Sequence, residues 1–207
     1  MLRIQNLTFG YDENKIIDNF SYKFETWKIY GLFWKSWLWK STLARLITWF
    51  LSPSAWIISL ENKNISSPSK DIFYVNQKDD IFYRLTLYDN LYILCHDAEK
   101  VEIILKKVGL YDYMHKFPKE LSWWMVKRLS FARVLLLHPK VLILDEPFVH
   151  LDIFAKNDLL LLLSHVHNLN DDTIIILISH SMQEMKIVDK IILFKHKIDS
   201  FYKEKGK

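Results

Sequence analysis

The stretch IYGLFWKSWLWKST, residues 29–42, joins an apolar run typical of a buried strand to a helix-like segment that begins at Lys40-Ser41-Thr42. A strand followed by G-x-x-x-x-G-K-S and a helix is the pattern of a phosphate-binding loop. Residues 34–41 have this spacing if Trp34 and Trp39 are read as glycine. The stretch therefore predicts a phosphate-binding loop that carries tryptophan where the backbone has to approach its ligand.

The composition indicates one globular domain that has unusually few glycines and unusually many tryptophans. The chain has 207 residues, of which 50% are hydrophobic and 25% are charged. It contains only four glycines, against about 14 expected at roughly 7% usage. It also contains eight tryptophans, far more than such a domain needs. The imbalance indicates that tryptophan has replaced glycine.

Charge, cysteine content and apolar run length narrow the class of protein. The lone Cys95 can form neither an intrachain disulfide nor a thiolate metal cluster. The net charge of +4 is small, and Lys203, Lys205 and Lys207 are typical of a solvated tail, so no nucleic-acid partner is predicted. The apolar runs are far shorter than the roughly 18 residues of a membrane span. Because the N-terminus lacks a signal-peptide pattern, we expect a cytoplasmic chain.

The apolar pattern predicts an α/β fold with an early β portion. Continuously apolar strands alternate with helices in the second half of the chain, which indicates a parallel sheet covered on both faces. The predicted strands are Leu2–Thr8, Ile16–Phe24, Lys28–Phe33, Ile57–Leu60, Ile72–Val75, Val141–Leu144, Thr173–Ile178 and Lys190–Phe194. The predicted helices are Ser41–Phe50, Trp124–Leu136, Phe154–Val166 and Met182–Val188, with a helical insertion from about Thr86 to Met114.

Two carboxylates complement the predicted loop. Backbone N–H groups of such a loop bind phosphate oxygens at a helix N-terminus. Lys40 would neutralise the β- and γ-phosphates, and the Ser41 hydroxyl would ligate Mg²⁺. Asp145 and Glu146 follow a buried strand at its carboxyl end, where ligands bind in open α/β sheets. Asp145 would hold the metal shell, and Glu146 would accept a proton from an attacking water.

Further segments resemble the ATP-binding cassette family. Leu121-Ser122-Trp123-Trp124-Met125 resembles the family's L-S-G-G-x signature, again with tryptophan at the glycines. The order and spacing of motifs agree from Leu2 to about Ile198, so the resemblance covers nearly the whole chain. Four other positions match family elements, namely the glutamine loop at Gln77, the dimer-contact loop at Asp152, the switch histidine at His180 and the adenine-stacking ring at Tyr11.

The resemblance implies a fold, cofactors and site residues. The fold is a single P-loop NTPase cassette over residues 1–207, with a mostly parallel sheet, an N-terminal antiparallel β portion and an α-helical subdomain at about 83–137. The cofactors are ATP and Mg²⁺, with Glu146 and His180 as catalytic residues and Ser41, Gln77 and Asp145 at the metal. The residues expected to bind the nucleotide are Tyr11, Trp34, Lys35, Ser36, Trp37, Leu38, Trp39, Lys40, Ser41, Thr42, Gln77, Ser122, Trp123, Trp124 and Asp152.

A simpler explanation exists for several of these residues. His180 could be a histidine at the edge of the core, Gln77 a polar loop residue and Tyr11 a strand aromatic residue. Their places beside predicted buried strands favour the functional assignment.

All eight tryptophans fall on glycine positions of the family pattern. Besides the loop and signature residues they are Trp27 before a strand, Trp49 at the end of the helix after the loop and Trp56 in a turn. Independent mutation would not select one residue type at glycine positions and leave the catalytic residues unchanged. Some bacteria read the codon UGA as glycine. Translation of such a gene with UGA read as tryptophan would put tryptophan at glycine positions and leave all other residues unchanged. We therefore hypothesise that the native chain has glycine at these positions, which UGG codons would refute.

The resemblance also implies a function in transport. ATP would bind between the loop of one subunit and the Ser122 signature of the other, in a head-to-tail dimer with a second copy or a paralogous ATP-binding subunit. Hydrolysis would drive an integral membrane permease docked around Tyr83 to Met114, which places the chain at the cytoplasmic face of the cell membrane. A solute-binding protein is a further candidate partner. The segments Ser67–Ile72, Leu85–Asn90 and Asp145–Phe148 resemble importers of the nitrate, sulfonate and taurine class.

Two other functions stay open at this stage. The first is a soluble cassette ATPase without a permease, although such proteins usually carry two cassettes or a long coiled-coil insertion. The second takes the tryptophans as real and predicts a nucleotide fold that cannot hydrolyse ATP and serves as a scaffold. A neighbouring permease gene would argue against the soluble cassette ATPase. The codons at the tryptophan positions would decide for or against the scaffold.

Overall fold

The computed structural model describes residues 1–11, 14–33, 40–52, 55–76, 81–149, 151–169, 172–193 and 203–205. The chain divides into two compact units, here called unit 1 (residues 1–74, 140–147 and 171–207) and unit 2 (residues 75–139 and 148–170). Most of the strands belong to unit 1, and four of the helices belong to unit 2. The sequence-based boundary of the helical subdomain, at about 83–137, stays a prediction.

The described part of the chain combines a mainly parallel sheet and an antiparallel sheet with α-helices, which confirms the predicted α/β class. The strands are β1 (Leu2–Tyr11), β2 (Asn14–Phe24), β3 (Ile29–Phe33), β4 (Ala55–Leu60), β5 (Lys63–Asn64), β6 (Ile72–Val75), β7 (Val141–Asp145), β8 (Ile174–Ser179), β9 (Lys190–Leu193) and β10 (Lys203–Lys205). The α-helices are α1 (Lys40–Ile47), α2 (Leu87–Cys95), α3 (Ala98–Lys107), α4 (Trp123–Leu137) and α5 (Ile153–Leu169). Short 3₁₀ helices cover Tyr111–Tyr113, Pro118–Glu120 and Glu184–Ile187.

A six-stranded sheet of order β10-β9-β3-β8-β7-β6 forms the centre of unit 1. Strand β3 pairs in parallel with β8 and β9, and β7 pairs in parallel with β8. Every residue of β7 and β8 is buried, which explains their continuously apolar sequences. The register aligns Phe33 with Ser179 and Asp145 with Ile178. The carboxyl ends of β3, β7 and β8 therefore meet at one edge of the sheet.

A second sheet, of order β2-β1-β4-β5, is antiparallel and supplies the early β portion that the sequence predicted. Its apolar residues join those of the parallel sheet and α1 in one core. Tyr30 of β3 lies edge-on to Phe24, with ring centroids 4.9 Å apart, and its hydroxyl accepts the backbone N–H of Glu25 at 2.7 Å. Such aromatic packing anchors β3, the strand that leads into residues 34–39.

The predicted helix Met182–Val188 is wrong, because the structure has only the 3₁₀ helix Glu184–Ile187 there. Val188 already has extended backbone, with φ −89° and ψ 148°, and continues toward β9. The segment packs tightly on β3, where a Cβ at Gly31 would lie 2.3 Å from Met185 Sδ. A side chain at residue 31 would therefore force Met185 to move.

The predicted helix Ser41–Phe50 also ends early, at Ile47. Two residues later, Trp49 has a φ of 65°, in the left-handed region. The N–H of Leu51 returns to the carbonyl of Arg45 at 3.1 Å, which closes the end of α1. A left-handed residue after a helix is ordinarily glycine.

The helices of unit 2 begin at side-chain caps. Thr86 accepts the N–H of Asp89 before α2, Asp97 accepts that of Lys100 before α3, and Ser122 accepts that of Met125 before α4. Each cap satisfies a backbone donor that the helix itself leaves unpaired. Arg128 of α4 donates to Asp158 of α5 at 2.7 Å, which ties these two helices together within unit 2.

Candidate functional site

The predicted catalytic and metal residues of unit 1 lie where β3, β7 and β8 end. Ser41 is in the first turn of α1, which follows β3 along the chain. Asp145 is the last residue of β7 and Glu146 the next one, while His180 follows β8 directly. The parallel register brings these ends side by side, so residues more than 100 positions apart in sequence become neighbours.

Asp145 is held by two hydroxyl groups. Its Oδ2 accepts a hydrogen bond from Ser41 Oγ at 2.6 Å and one from the Tyr74 hydroxyl at 2.8 Å. The carboxylate is buried, with 5% of the residue exposed. Burial, and then the negative charge of Asp145, raise the pKa of Tyr74 well above its ordinary value, so the phenol keeps its proton and acts as a donor.

Glu146 and His180 form the second pair of the site. His180 Nδ1 lies 2.9 Å from both Oε1 and Oε2 of Glu146. Glu146 is 7% exposed, whereas half of the His180 side chain reaches solvent. The Glu146 backbone is left-handed, with φ 50°, and its N–H donates to the carbonyl of Ile178 at 2.9 Å. Non-glycine residues held in this conformation cluster at functional sites.

Tyr11 and Thr42 lie together beside the start of α1. The Tyr11 hydroxyl is 3.5 Å from Thr42 Oγ1, and the ring of Tyr11 packs edge-on against Phe9 with centroids 5.0 Å apart. Thr42 is buried, and 42% of Tyr11 is exposed. The structure therefore leaves part of the Tyr11 ring accessible for stacking, and its role at the nucleotide stays a prediction.

The predicted signature residues belong to unit 2 and open α4. Ser122 caps this helix through its side chain, and Trp123 and Trp124 form the first turn. Cations cover both indoles, with Lys127 Nζ 5.0 Å from the Trp123 ring and the Arg128 guanidinium 5.0 Å from that of Trp124. These contacts depend on side chains that glycine would not have.

Asp152 is placed at the start of α5, also in unit 2. Its Oδ1 accepts the N–H of Ala155 at 2.8 Å, and its carbonyl accepts that of Lys156. Asp152 thus caps its own helix, which is a structural role independent of any nucleotide. Its assignment to a dimer contact stays a prediction.

Part of the predicted site lies outside the described residues. This applies to Gln77 and to the loop residues Trp34, Lys35, Ser36, Trp37, Leu38 and Trp39. Lys40 is described only as the first residue of α1. Conversely, the apolar pattern predicts a strand at Tyr74 but gives no sign of its contact with Asp145. The available signal was a phenol near the carboxyl end of a strand predicted next to a ligand-binding edge.

The described oxygen atoms fit a magnesium ion that arrives with a nucleotide. A carboxylate and a hydroxyl are hard ligands of the kind Mg²⁺ prefers, and Mg²⁺ usually takes one or two protein groups together with waters and substrate phosphates. Among the described residues, no cluster of three or more histidine, cysteine, aspartate or glutamate residues could form an all-protein metal cage. Ser41 and Asp145 would hold Mg²⁺, which would neutralise phosphate charge.

Comparison with known proteins identifies the class. Residues 17–149 match the profile of the ABC transporter family. A solved structure titled as the ATP binding subunit of an ABC transporter superposes with a TM-score of 0.82, covering 94% of this chain and 85% of its own at 20% identity. This superposition shows the same fold. The chain belongs to the ABC transporter family.

Three relatives with curated names are ATP-binding proteins of transport systems. A sulfate/thiosulfate import ATP-binding protein of Mesostigma viride is 32% identical over 92% of this chain. A bicarbonate transport ATP-binding protein of Synechocystis is 34% identical over 74% of it. A spermidine/putrescine import ATP-binding protein of Fusobacterium nucleatum is 32% identical over 92%. The matches cover 58%, 58% and 54% of these relatives, so the chain spans little more than half of their length.

Within the described part of the chain, we find no helix with the length and apolar character that crossing a membrane requires.

Proposed function

We propose that this chain binds and hydrolyses ATP with Mg²⁺ as the ATP-binding subunit of an ABC transporter. The observation that carries the proposal is the grouping of Ser41 with Asp145, and of Glu146 with His180, at the carboxyl edge of the parallel sheet. Ser41 and Asp145 would hold the metal. Glu146 would take the proton of the attacking water, and His180, hydrogen-bonded to Glu146, would contact the γ-phosphate.

Hydrolysis requires a second subunit in this proposal. The Ser122 end of α4 offers a helix N-terminus, which attracts phosphate through its backbone N–H groups and partial positive charge. Ser122 and Asp152 are exposed in the isolated chain and so could contact a partner. ATP would bind between this signature and the phosphate loop of a second copy or paralogous subunit, in a head-to-tail dimer.

The chemical step would be coupled to an integral membrane permease. Support comes from unit 2, where the region from Tyr83 to Met114 has exposed apolar side chains. These are Tyr83, Tyr92, Ile93, Ile103 and Tyr113. Exposed apolar side chains are a feature that protein interfaces use. The chain would then act at the cytoplasmic face of the cell membrane, with a solute-binding protein as a further candidate partner.

For the cargo, we propose import of a small oxyanion or sulfonate. The segments that resemble nitrate, sulfonate and taurine importers support this, as do the names of the sulfate/thiosulfate and bicarbonate relatives. The spermidine/putrescine relative, which is equally similar, points to a cation instead. Uptake of labelled sulfate, nitrate, taurine and spermidine into vesicles that hold the native complex would separate these cargoes.

Purification of the tagged chain from membranes tests the whole proposal. We expect a stoichiometric complex with one integral membrane protein. This complex should hydrolyse Mg·ATP. Association with DNA or ribosomes and no membrane protein would favour the soluble cassette ATPase. A membrane complex that neither binds nor hydrolyses ATP would favour the scaffold.

We further propose that the native chain has glycine at the eight tryptophan positions. Two tryptophans outside the loop and signature have left-handed backbone, Trp27 with φ 57° and Trp49 with φ 65°. A bulky residue in this region is an outlier, whereas glycine adopts it without steric cost. The indole N–H of Trp49 is also buried without a hydrogen-bond partner among the described residues. An unsatisfied buried donor costs about 1–3 kcal/mol.

Substitutions at Trp27 measure this backbone preference directly. Trp27 is 53% exposed, so substitutions there do not open a cavity in the core. We expect Trp27→Gly to be more stable than Trp27→Ala by about 1–2 kcal/mol, because alanine keeps the β-carbon that is unfavourable at left-handed φ. Chemical denaturation of both variants gives the difference in the free energy of unfolding.

The predicted turn at Trp56 is wrong, because this residue lies in β4. It is not among the residues with positive φ and therefore provides the matched control. There the order should reverse, with Trp56→Ala more stable than Trp56→Gly by about 0.5–1 kcal/mol. The same sign at both positions would remove this support for the glycine proposal.

A further inference from the structure

We propose that Tyr74 is a positioning residue of the magnesium site, through the hydrogen bond that its hydroxyl donates to Asp145 Oδ2. Tyr74 does not touch the reacting atoms in this proposal. It fixes the carboxylate that, with Ser41, would hold the ion. The inference rests on the proposed function of the same site.

The hydrogen bonds at Asp145 are divided unequally between its two oxygens. Oδ2 accepts both the Tyr74 hydroxyl at 2.8 Å and the Ser41 hydroxyl at 2.6 Å. Oδ1 receives neither of these bonds. With Oδ2 occupied by two protein donors, Oδ1 would be the oxygen that meets the ion and its waters in this proposal. The Ser41 hydroxyl, which donates its proton to Asp145, keeps oxygen lone pairs for the metal.

The ring of Tyr74 is itself held in place. It is partly buried and packs against the core of unit 1. Strand β6, which carries Tyr74, is the neighbour of β7 in the sheet, and the Val141 N–H donates to the carbonyl of Asp71 at 2.9 Å. A phenol on a fixed ring and a carboxylate at a strand end have little freedom to separate. The contact is therefore preorganised before any ion binds.

Removal of the hydroxyl alone isolates this role. Tyr74→Phe would keep the ring packing and remove the phenol donor, so that Ser41 would be the remaining one of the two donors to Oδ2. The carboxylate would then have to be ordered by the incoming ion. Because a hydrogen bond to a charged group is among the stronger ones in proteins, we expect about a tenfold loss of apparent Mg²⁺ affinity.

The test is a calorimetric titration of Tyr74→Phe with ATP at a series of Mg²⁺ concentrations and in EDTA. It uses the full chain in both its tryptophan and its glycine form, and the form that binds ATP serves as the parent. The Mg²⁺ concentration for half-maximal enhancement of ATP affinity should rise about tenfold. The affinity for ATP in EDTA should be unchanged, because the loop and Lys40 are intact.

Tyr30→Phe is the matched control for loss of a tyrosine hydroxyl. Tyr30 is near the start of β3, away from the carboxyl edge where Ser41 lies, and its hydroxyl accepts the Glu25 N–H. Loss of this acceptor should lower stability without changing the Mg²⁺ dependence. An equal Mg²⁺ requirement in Tyr74→Phe and the parent would overturn the inference and leave the proposed function standing. A similar rise in Tyr30→Phe would also overturn it, because the effect would then follow stability. Absence of Mg·ATP binding in both parent forms would overturn the inference and the proposed function together.

Discussion

The tryptophan form is expected not to bind ATP, and replacement of Trp34, Trp37, Trp39, Trp123 and Trp124 by glycine is expected to give a chain that binds and hydrolyses it. Glycine in a phosphate loop allows φ above zero and close approach of the backbone to the ligand. A β-carbon at left-handed φ alone costs about 1–2 kcal/mol, and each indole adds bulk in a nine-residue stretch that holds three of them. Calorimetry measures ATP affinity, and phosphate release measures hydrolysis.

Partial replacements separate the two motifs. Glycine at residues 34, 37 and 39 alone should restore nucleotide binding but not the ATP-bound dimer, because Trp123 and Trp124 would still block the signature of the partner. Trp27→Gly lies outside both motifs and should change neither ATP affinity nor dimerisation. Comparable ATP binding and hydrolysis by the tryptophan form would refute the decoding proposal.

Glu146→Gln in the glycine form is expected to abolish turnover and to preserve ATP binding and ATP-driven dimerisation. The amide has nearly the size of the carboxylate and can still bond to His180, but it cannot accept the proton of the attacking water. Loss of a general base lowers the rate by roughly 10²–10⁴-fold. Steady-state phosphate release, with gel filtration in ATP for the dimer, measures both properties.

Lys40→Ala is the contrasting control, because it removes the charge that would neutralise the phosphates. It should weaken ATP binding itself, and with it the ATP-driven dimer. Unchanged steady-state hydrolysis in Glu146→Gln would exclude Glu146 as the base, whatever Lys40→Ala does. A Glu146→Gln chain that no longer binds ATP would assign Glu146 to nucleotide binding instead of proton transfer.

The sequence by itself predicted much of the candidate site, because local pattern and chemistry coincide there. The pair Asp145-Glu146 follows one continuously apolar run, and His180 follows another. Both features can be recognised from local sequence, without knowledge of distant contacts. The parallel sheet then brings Glu146 and His180 within 2.9 Å, since strands of equal direction end at one edge. The sequence could not indicate which oxygen of Asp145 is bonded, or that Tyr74 reaches it.

The amino-acid sequence determined the α/β class, the strands buried on both faces and the family, because hydrophobic periodicity and motif spacing are local properties of the chain. Tertiary structure alone decided that the segment after His180, which packs on Gly31, forms a short 3₁₀ helix although its pattern predicts an α-helix. It also decided that Trp27 and Trp49 have left-handed backbone, because turn geometry follows from the elements that the turn connects. Side-chain contacts between neighbouring strands, such as Tyr74 with Asp145, exist only once the sheet has set the register.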